Sequence, residues 1–163
     1  MTSPAQTYST FIEQELIAER TRMATLDGRS ATVAAASVVL GALVGLGGAF
    51  GPDGGHSHDV AATVLLLTAV GAFASAATLA ALSGRRRHYE VIPSSTLDDM
   101  TSDDHWDDPE DHARRAVTFV KMNSIRATRI SNKRRERLLT AALVAQLAAL
   151  AAVAAHAAVR VLA

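Results

Sequence analysis

Two groups of side chains in the sequence have the types and spacing to do chemistry. The first lies in the glycine-rich stretch 51–59, where two histidines and two aspartates can meet a divalent cation: His56, His58, Asp53 and Asp59. Two histidines two residues apart on such a loop are an incomplete ligand set for a zinc-type site. We therefore expect no metal site and no cofactor.

The second group is a run of basic side chains in the second half of the chain. Guanidinium and ammonium groups donate charge-assisted hydrogen bonds to phosphate, so an anionic ligand would find its donors here. The candidates are Arg114, Arg115, Lys121, Arg126 and Arg129. Residues 97–111 carry eight acids and no base. This tract, with His105 and Trp106, can hold a cation or a basic partner, but a solvated loop that pairs loosely with the basic helix is favoured.

Catalytic motifs are missing from the sequence. It contains no glycine-rich phosphate loop, no HExxH, no GxSxG and no paired carboxylates within its apolar stretches. The absence of cysteine excludes disulfides, thiolate metal sites and cysteine nucleophiles. We expect a protein that is not an enzyme, and uncharged apolar stretches argue against a proton-coupled pump.

Three uncharged apolar blocks must position these groups: residues 31–50, 60–83 and 138–159 of a 163-residue chain. A bilayer core about 30 Å thick needs about 20 apolar residues, so each block is long enough to span it. The prediction is an all-α membrane protein with transmembrane helices at 30–50, 60–83 and 138–160. The third block is the weakest because it is mostly alanine. A soluble alanine-rich bundle is the alternative, although three such blocks would overfill a small core.

The 16 Lys and Arg residues balance 16 Asp and Glu residues, which excludes a uniformly basic binder of nucleic-acid polymers. Their distribution is nevertheless uneven. Residues 1–29 hold three of the bases, residues 84–137 hold twelve, and the hairpin at 51–59 holds none. Positive loops stay cytoplasmic. We expect a multi-pass inner-membrane protein with the N-terminus and the 84–137 link inside, and the hairpin and C-terminus outside.

Cytoplasmic helical extensions are predicted for the first and third spans. Residues 1–29 form an amphipathic helix with an apolar stripe at three- to four-residue steps: Phe11, Ile12, Leu16, Met23 and Leu26. The 84–137 link is an acidic loop followed by a basic helix, which begins at Glu110 after Pro109 and continues into the third span. Its apolar face comprises Val117, Val120, Ser124, Ile125 and Ala127. We expect the extensions to pair, the alternative being an extension that lies on the lipid surface.

Small residues at four-residue spacing mark candidate packing faces in the spans. Gly41 and Gly45 form a GxxxG motif in the first, and Gly71 and Ser75 repeat the spacing in the second. Such spacing lets helix backbones approach closely in lipid, and we favour packing within the chain over dimerisation. Gln146 should face a helix, a partner subunit or water, and a ring of Gln146 in an oligomer would line a pore.

Two stretches carry a resemblance to known proteins. They are ATLDGRSATVAAASVVLGALVG at 24–45 and NSIRATRISNKRRERLLTAALVA at 123–145. With the three-span arrangement, they resemble the Pycsar effector transmembrane family and the related SLATT-like small membrane effectors of bacterial anti-phage defence. Residues 26–30 occupy the place of that family's alanine-aspartate-small-lysine-alanine segment, with Arg29 in place of lysine.

The resemblance implies an oligomeric effector that is inactive until infection. It then permeabilises or depolarises the inner membrane, which is the defence strategy called abortive infection. Its partners would be the lipid bilayer, further copies of itself and a cyclic pyrimidine nucleotide made by a partner cyclase. The sequence has no recognisable nucleotide-binding module. The alternative function is a non-catalytic structural or regulatory subunit that packs against another membrane protein.

Overall fold

A computed structural model describes residues 4–49, 60–85, 95 and 109–162. Over these residues the chain is all-helical, with α1 at Pro4–Ala49, α2 at Val60–Gly84 and α3 at Glu110–Leu162. Each helix is long and apolar enough to cross a membrane. The histidine hairpin at 51–59 and residues 97–108 of the acidic tract lie outside the described residues.

Both long helices expected from the sequence are continuous. The 46 residues of α1 run without interruption through Gly28. The 53 residues of α3 begin at Glu110, as predicted, and at a rise of 1.5 Å per residue they extend for about 80 Å. The carbonyl of Pro109 accepts hydrogen bonds from the backbone amides of His112 (2.8 Å) and Ala113 (3.3 Å), which starts the helix.

The chain divides into two compact units: unit 1 is Met1–Thr25 with Arg86–Lys133, and unit 2 is Leu26–Arg85 with Arg134–Ala163. In unit 1, α1 and α3 lie side by side and parallel, with Leu16 and Ile125 buried. The predicted pairing of the two helical segments is therefore confirmed. Phe11 and Val117, expected in the apolar stripes, are instead exposed, whereas Ile12 and Val120 of the same stripes are half-buried.

Unit 2 is packed with small side chains. In α2 the buried residues recur at three-, four- and seven-residue steps, the spacing of a coiled-coil seam: Ala62, Ala69, Phe73, Ala76, Ala80 and Ser83. Phe73 is the one large apolar side chain that is fully buried among the described residues. A Cβ on Gly41 would lie 3.2 Å from the Cβ of Phe73, so glycine lets α1 approach α2 at this point.

The apolar segments of the three helices remain largely uncovered. Within the most apolar 18-residue window of each helix, only 11%, 22% and 17% of the residues are buried. Large side chains such as Val39, Leu43, Leu67 and Leu147 are more than half exposed. Soluble monomers rarely expose a contiguous apolar surface of this extent, so the chain has three candidate membrane-spanning helices.

Candidate functional site

Unit 1 contains a polar group that we term the Glu19 cluster: Glu15, Glu19, Arg129 and Asn132. The Nε of Arg129 donates to Glu19 Oε1 at 2.9 Å, and a terminal guanidinium nitrogen of Arg129 donates to Glu15. The Nδ2 of Asn132 donates to Glu19 Oε2 at 3.0 Å and to the Glu19 carbonyl at 3.2 Å. Both carboxylate oxygens of Glu19 therefore accept from α3.

The Glu19 carboxylate is held in its charged form. Burial by itself raises the pKa of Glu19, but the hydrogen bonds from Asn132 and Arg129 and the positive charges of Arg129 and Arg22 outweigh it and lower the pKa below 4.5. Glu19 and Asn132 are only 8% and 1% exposed. Among the described residues, Oδ1 of Asn132 has no hydrogen-bond partner, so this amide is fixed by its donors alone.

Three of the five basic candidates for an anionic ligand have carboxylate partners. Arg129 belongs to the Glu19 cluster, Lys121 Nζ lies 3.6 Å from Glu13 Oε1, and Arg114 pairs with Glu110. An anionic ligand would have to displace these carboxylates. Arg115 and Arg126 are exposed.

Unit 2 contains a second polar group, the Arg135 cluster: Asp27, Ser30, Ser83 and Arg135. Arg135 is only 6% exposed. Its Nη1 donates to Asp27 Oδ1 at 2.7 Å, and its Nη2 lies 3.4 Å from the carbonyl of Arg85. That carbonyl directly follows the last residue of α2, where a cation is favoured by the helix dipole and by unsatisfied carbonyls.

A chain of hydroxyl hydrogen bonds completes the Arg135 cluster. Ser83 Oγ donates its proton to the carbonyl of Arg135 at 3.0 Å. The contact of 3.0 Å between the Oγ atoms of Ser30 and Ser83 must therefore have Ser30 as its donor. A Cβ on Gly84 would lie 3.5 Å from the Cβ of Ser30. The cluster thus joins all three helices of unit 2.

The predicted packing residues fall on different faces of unit 2. Gly41 packs against Phe73, whereas a Cβ on Gly45 or Gly71 would meet nothing within 4 Å. Gly71 and Ser75 are exposed, and Ser75 Oγ donates to the carbonyl of Gly71 at 2.8 Å. Packing within the chain was the favoured interpretation of this spacing, but Gly71 and Ser75 do not take part in it. Gln146 is half-buried.

Two more polar side chains lie along the helix contacts of unit 2. His156 Nδ1 is 2.8 Å from the carbonyl of Ala62, in the first turn of α2. Ser37 Oγ is buried and has no hydrogen-bond partner among the described residues. Those residues also contain no group of three His, Asp or Glu side chains that could hold a metal ion.

Sequence reasoning named Arg129 only as a candidate for an anionic ligand, and it did not predict the polar contacts of either cluster. The signal was their register. On α1, Glu19 continues the three- and four-residue steps of Ile12, Leu16 and Met23. On α3, Asn132 and Arg135 continue those of Ile125, Thr128 and Leu139. A polar residue that keeps the heptad spacing indicates a buried interhelical contact.

Comparison with known proteins returns no match for this chain, whether with family models, curated proteins or solved structures. The class of the protein is defined by its fold: over the residues that the structure describes it is all-helical, with three candidate membrane-spanning helices.

Proposed function

We propose that this protein is an oligomeric inner-membrane effector that permeabilises or depolarises the membrane, as in Pycsar and SLATT-like anti-phage defence. In this proposal the three helices cross the bilayer, the N-terminus and the 84–137 link lie in the cytoplasm, and the C-terminus lies outside. The protein acts by assembly rather than by catalysis.

The uncovered apolar surface carries the proposal. At most 22% of any helix's most apolar window is buried within the chain, so hydrocarbon or another protein must cover the remainder. The exposed hydroxyls of this surface suit a lipid environment, because Thr68, Ser75 and Thr78 each donate to the carbonyl four residues earlier in α2. Because these hydroxyls donate to carbonyls of their own helix, they are not left as unpaired donors in hydrocarbon.

The outer face of α2 supports self-association. Gly71 and Ser75 lie on the side of the helix opposite Phe73 and Ala80, and no other part of the described chain covers them. Small residues spaced by four allow a second transmembrane helix to approach closely. Gly71 is therefore the residue at which we place contact between subunits.

The trigger in this proposal is an anionic signal such as a cyclic pyrimidine nucleotide from a partner cyclase. Of the five basic candidates, Arg115 and Arg126 are exposed, whereas Arg114, Lys121 and Arg129 are engaged in ion pairs, so we assign the phosphate to the first two. Their exposed position on α3 supports the assignment.

Induced expression in a bacterial host tests the proposal. Membrane potential and entry of a normally excluded dye are followed for the wild type, for Gly71→Ile and for Ala81→Ile, with and without phage. The wild type should collapse the potential, Gly71→Ile should not, and Ala81→Ile, which adds similar bulk at another exposed position of α2, should behave as wild type. Membrane potential and viability that stay unchanged at high wild-type expression, both with and without phage, contradict the proposal.

Purification in mild detergent separates this function from that of a packing subunit. A defined homo-oligomer that Gly71→Ile dissociates supports the effector. A stoichiometric foreign membrane protein, retained by the wild type, supports the structural or regulatory subunit instead.

A further inference from the structure

Exposed arginines gather at one end of unit 2. The buried Arg135 contacts Asp27 of α1 and the carbonyl of Arg85 after α2, which brings the three helices together at this level. Arg85 is itself exposed, and three further exposed arginines lie within two residues of Asp27 or Arg135. We term these four residues the arginine cluster: Arg29, Arg85, Arg134 and Arg137.

Among the described residues of unit 2, basic side chains outnumber acidic ones at this end. The described residues of unit 2 include two acids, Asp27 and Glu136, both at this end. Asp27 is engaged by the buried Arg135 at 2.7 Å. Within the described part of unit 2, one acid thus remains against the four members of the arginine cluster, which is an excess of positive charge.

The arginine cluster is continuous with the uncovered apolar surface. Arg29 lies two residues before the uncharged block of α1 that begins at residue 31, and Arg137 directly precedes that of α3, which begins at 138. A partner that satisfies both surfaces needs an anionic group attached to a long apolar chain. Phospholipids with anionic headgroups have this combination, and guanidinium groups bind phosphate with charge-assisted hydrogen bonds.

We propose that the arginine cluster is a binding surface for anionic phospholipids, with headgroup phosphates contacted by Arg134 and Arg137 of α3 and by Arg29 and Arg85 of the neighbouring helices. The buried Asp27–Arg135 pair is a positioning element, because it fixes the level at which the four arginines emerge. The proposal rests on insertion of the helices in a bilayer but not on permeabilisation.

Native mass spectrometry of the full chain tests this site. The protein is released from micelles containing equal amounts of dioleoyl phosphatidylglycerol and dioleoyl phosphatidylcholine, which share acyl chains and differ in charge. The variant is Arg134→Gln with Arg137→Gln. Its matched control is Arg20→Gln with Arg22→Gln, which removes the same charge from exposed positions of α1 in unit 1.

We expect the wild type and the control to retain phosphatidylglycerol preferentially. With about 1 kcal/mol per basic residue near an anionic surface, the variant should lose this preference by a factor on the order of ten or more. Arg29→Gln with Arg85→Gln should weaken it in the same direction, which guards against misfolding of the first variant. Inorganic phosphate at the same concentration should not compete, because it lacks the apolar chains.

Equal retention of the two lipids by the wild type, or an equal loss of preference in variant and control, overturns the lipid site while leaving the proposed function intact. If inorganic phosphate displaces phosphatidylglycerol completely, the arginine cluster binds a soluble anion, and this result also overturns the lipid site. Retention of neither lipid overturns it too, and contradicts membrane insertion, on which the proposed function depends.

Discussion

The two units join their helices by different physical means. Unit 1 uses ion pairs between α1 and α3, and those of Arg129 with Glu15 and of Lys121 with Glu13 are open to water. Unit 2 uses close contact between alanines, Gly41 and Phe73, with one guanidinium buried at Arg135. Solvent screens the first kind of contact and hardly reaches the second, so equal chemical changes should have unequal effects.

The energetic asymmetry follows from solvation. An exposed ion pair contributes about 0–1 kcal/mol, because water solvates each charge nearly as well as its partner does. Loss of one partner of a buried pair is far more costly, since it leaves an uncompensated charge away from water. The Glu19 cluster lies between these limits, because Glu19 is buried while Arg129 is half-exposed.

Asp27→Asn should have the largest effect. It leaves the buried Arg135 without its counter-charge, and we expect a loss of about 2–3 kcal/mol in the free energy of unfolding, at the low end for buried pairs because Asp27 is 37% exposed. Arg135→Met should cost less, because Asp27 can reach water once its partner is gone. A double-mutant cycle by SDS titration in mixed micelles measures both. Arg135→Met more damaging than Asp27→Asn would show that the pair is not governed by burial of Arg135.

Gly41→Leu should come next in size. A Cβ at Gly41 already lies 3.2 Å from the Cβ of Phe73, so a larger side chain must push α1 and α2 apart at a typical overpacking cost of about 1–3 kcal/mol. Gly45→Leu is the matched control, because nothing lies within 4 Å of its Cβ. Thermal unfolding in detergent compares the two variants. Equal melting temperatures for both would show that the close approach at Gly41 does not hold unit 2 together.

Asn132→Ala should lower stability by about 1–2 kcal/mol. It removes two hydrogen bonds to Glu19 and leaves one carboxylate oxygen of a buried group without its donor. Asn123→Ala, an exposed position on the same helix, should change stability by less than about 0.5 kcal/mol. The same SDS titration serves for both, and indistinguishable values would mean that Asn132 is dispensable to the Glu19 cluster.

Acidification should weaken unit 1 through Glu19. Its pKa is below 4.5 in the folded chain and near 4.5 when unfolded, so the unfolded state binds the proton more readily. This contribution to stability is complete above pH 4.5 and is lost as the pH falls through the lower folded-state pKa. Hydrogen exchange of α1 amides from pH 6 to 3 follows it. Glu19→Gln should flatten the profile, whereas Glu13→Gln, at an exposed position, should leave its shape unchanged.

Lys121→Gln should have the smallest effect of the series. The distance of 3.6 Å to Glu13 and the exposure of both side chains predict a change below about 0.5 kcal/mol that disappears at high salt. SDS titration at low and high ionic strength checks this. A salt-independent loss above 1 kcal/mol would place this pair with the buried contacts instead.

Much of the helical framework could be predicted from the sequence, and the reasons are local. The uncharged blocks and the Pro109–Glu110 start predict where helices must run, because propensity, charge and capping are readable from neighbouring residues. The pairing of α1 with α3 was also predicted, because the apolar stripe of each helical segment must be covered by another apolar surface.

The polar clusters were not predicted because they depend on contacts between residues far apart in the chain. Glu19 and Asn132 are separated by 113 positions, and Asp27 and Arg135 by 108. Nothing near Arg135 in the sequence distinguishes it from its exposed neighbour Arg134; only the register of the whole helix turns one inward. Gly41 and Gly71 likewise share a motif but face different surroundings, and the partner helix decides between them.

Site-directed labelling tests the membrane arrangement most directly. The chain has no cysteine, so Ser57→Cys in the hairpin and Ser102→Cys in the central link each introduce a single reactive thiol. In intact spheroplasts, a membrane-impermeant maleimide should label the Ser57→Cys protein, and it should label the Ser102→Cys protein only after lysis. Equal labelling of the two positions before lysis would contradict three bilayer crossings.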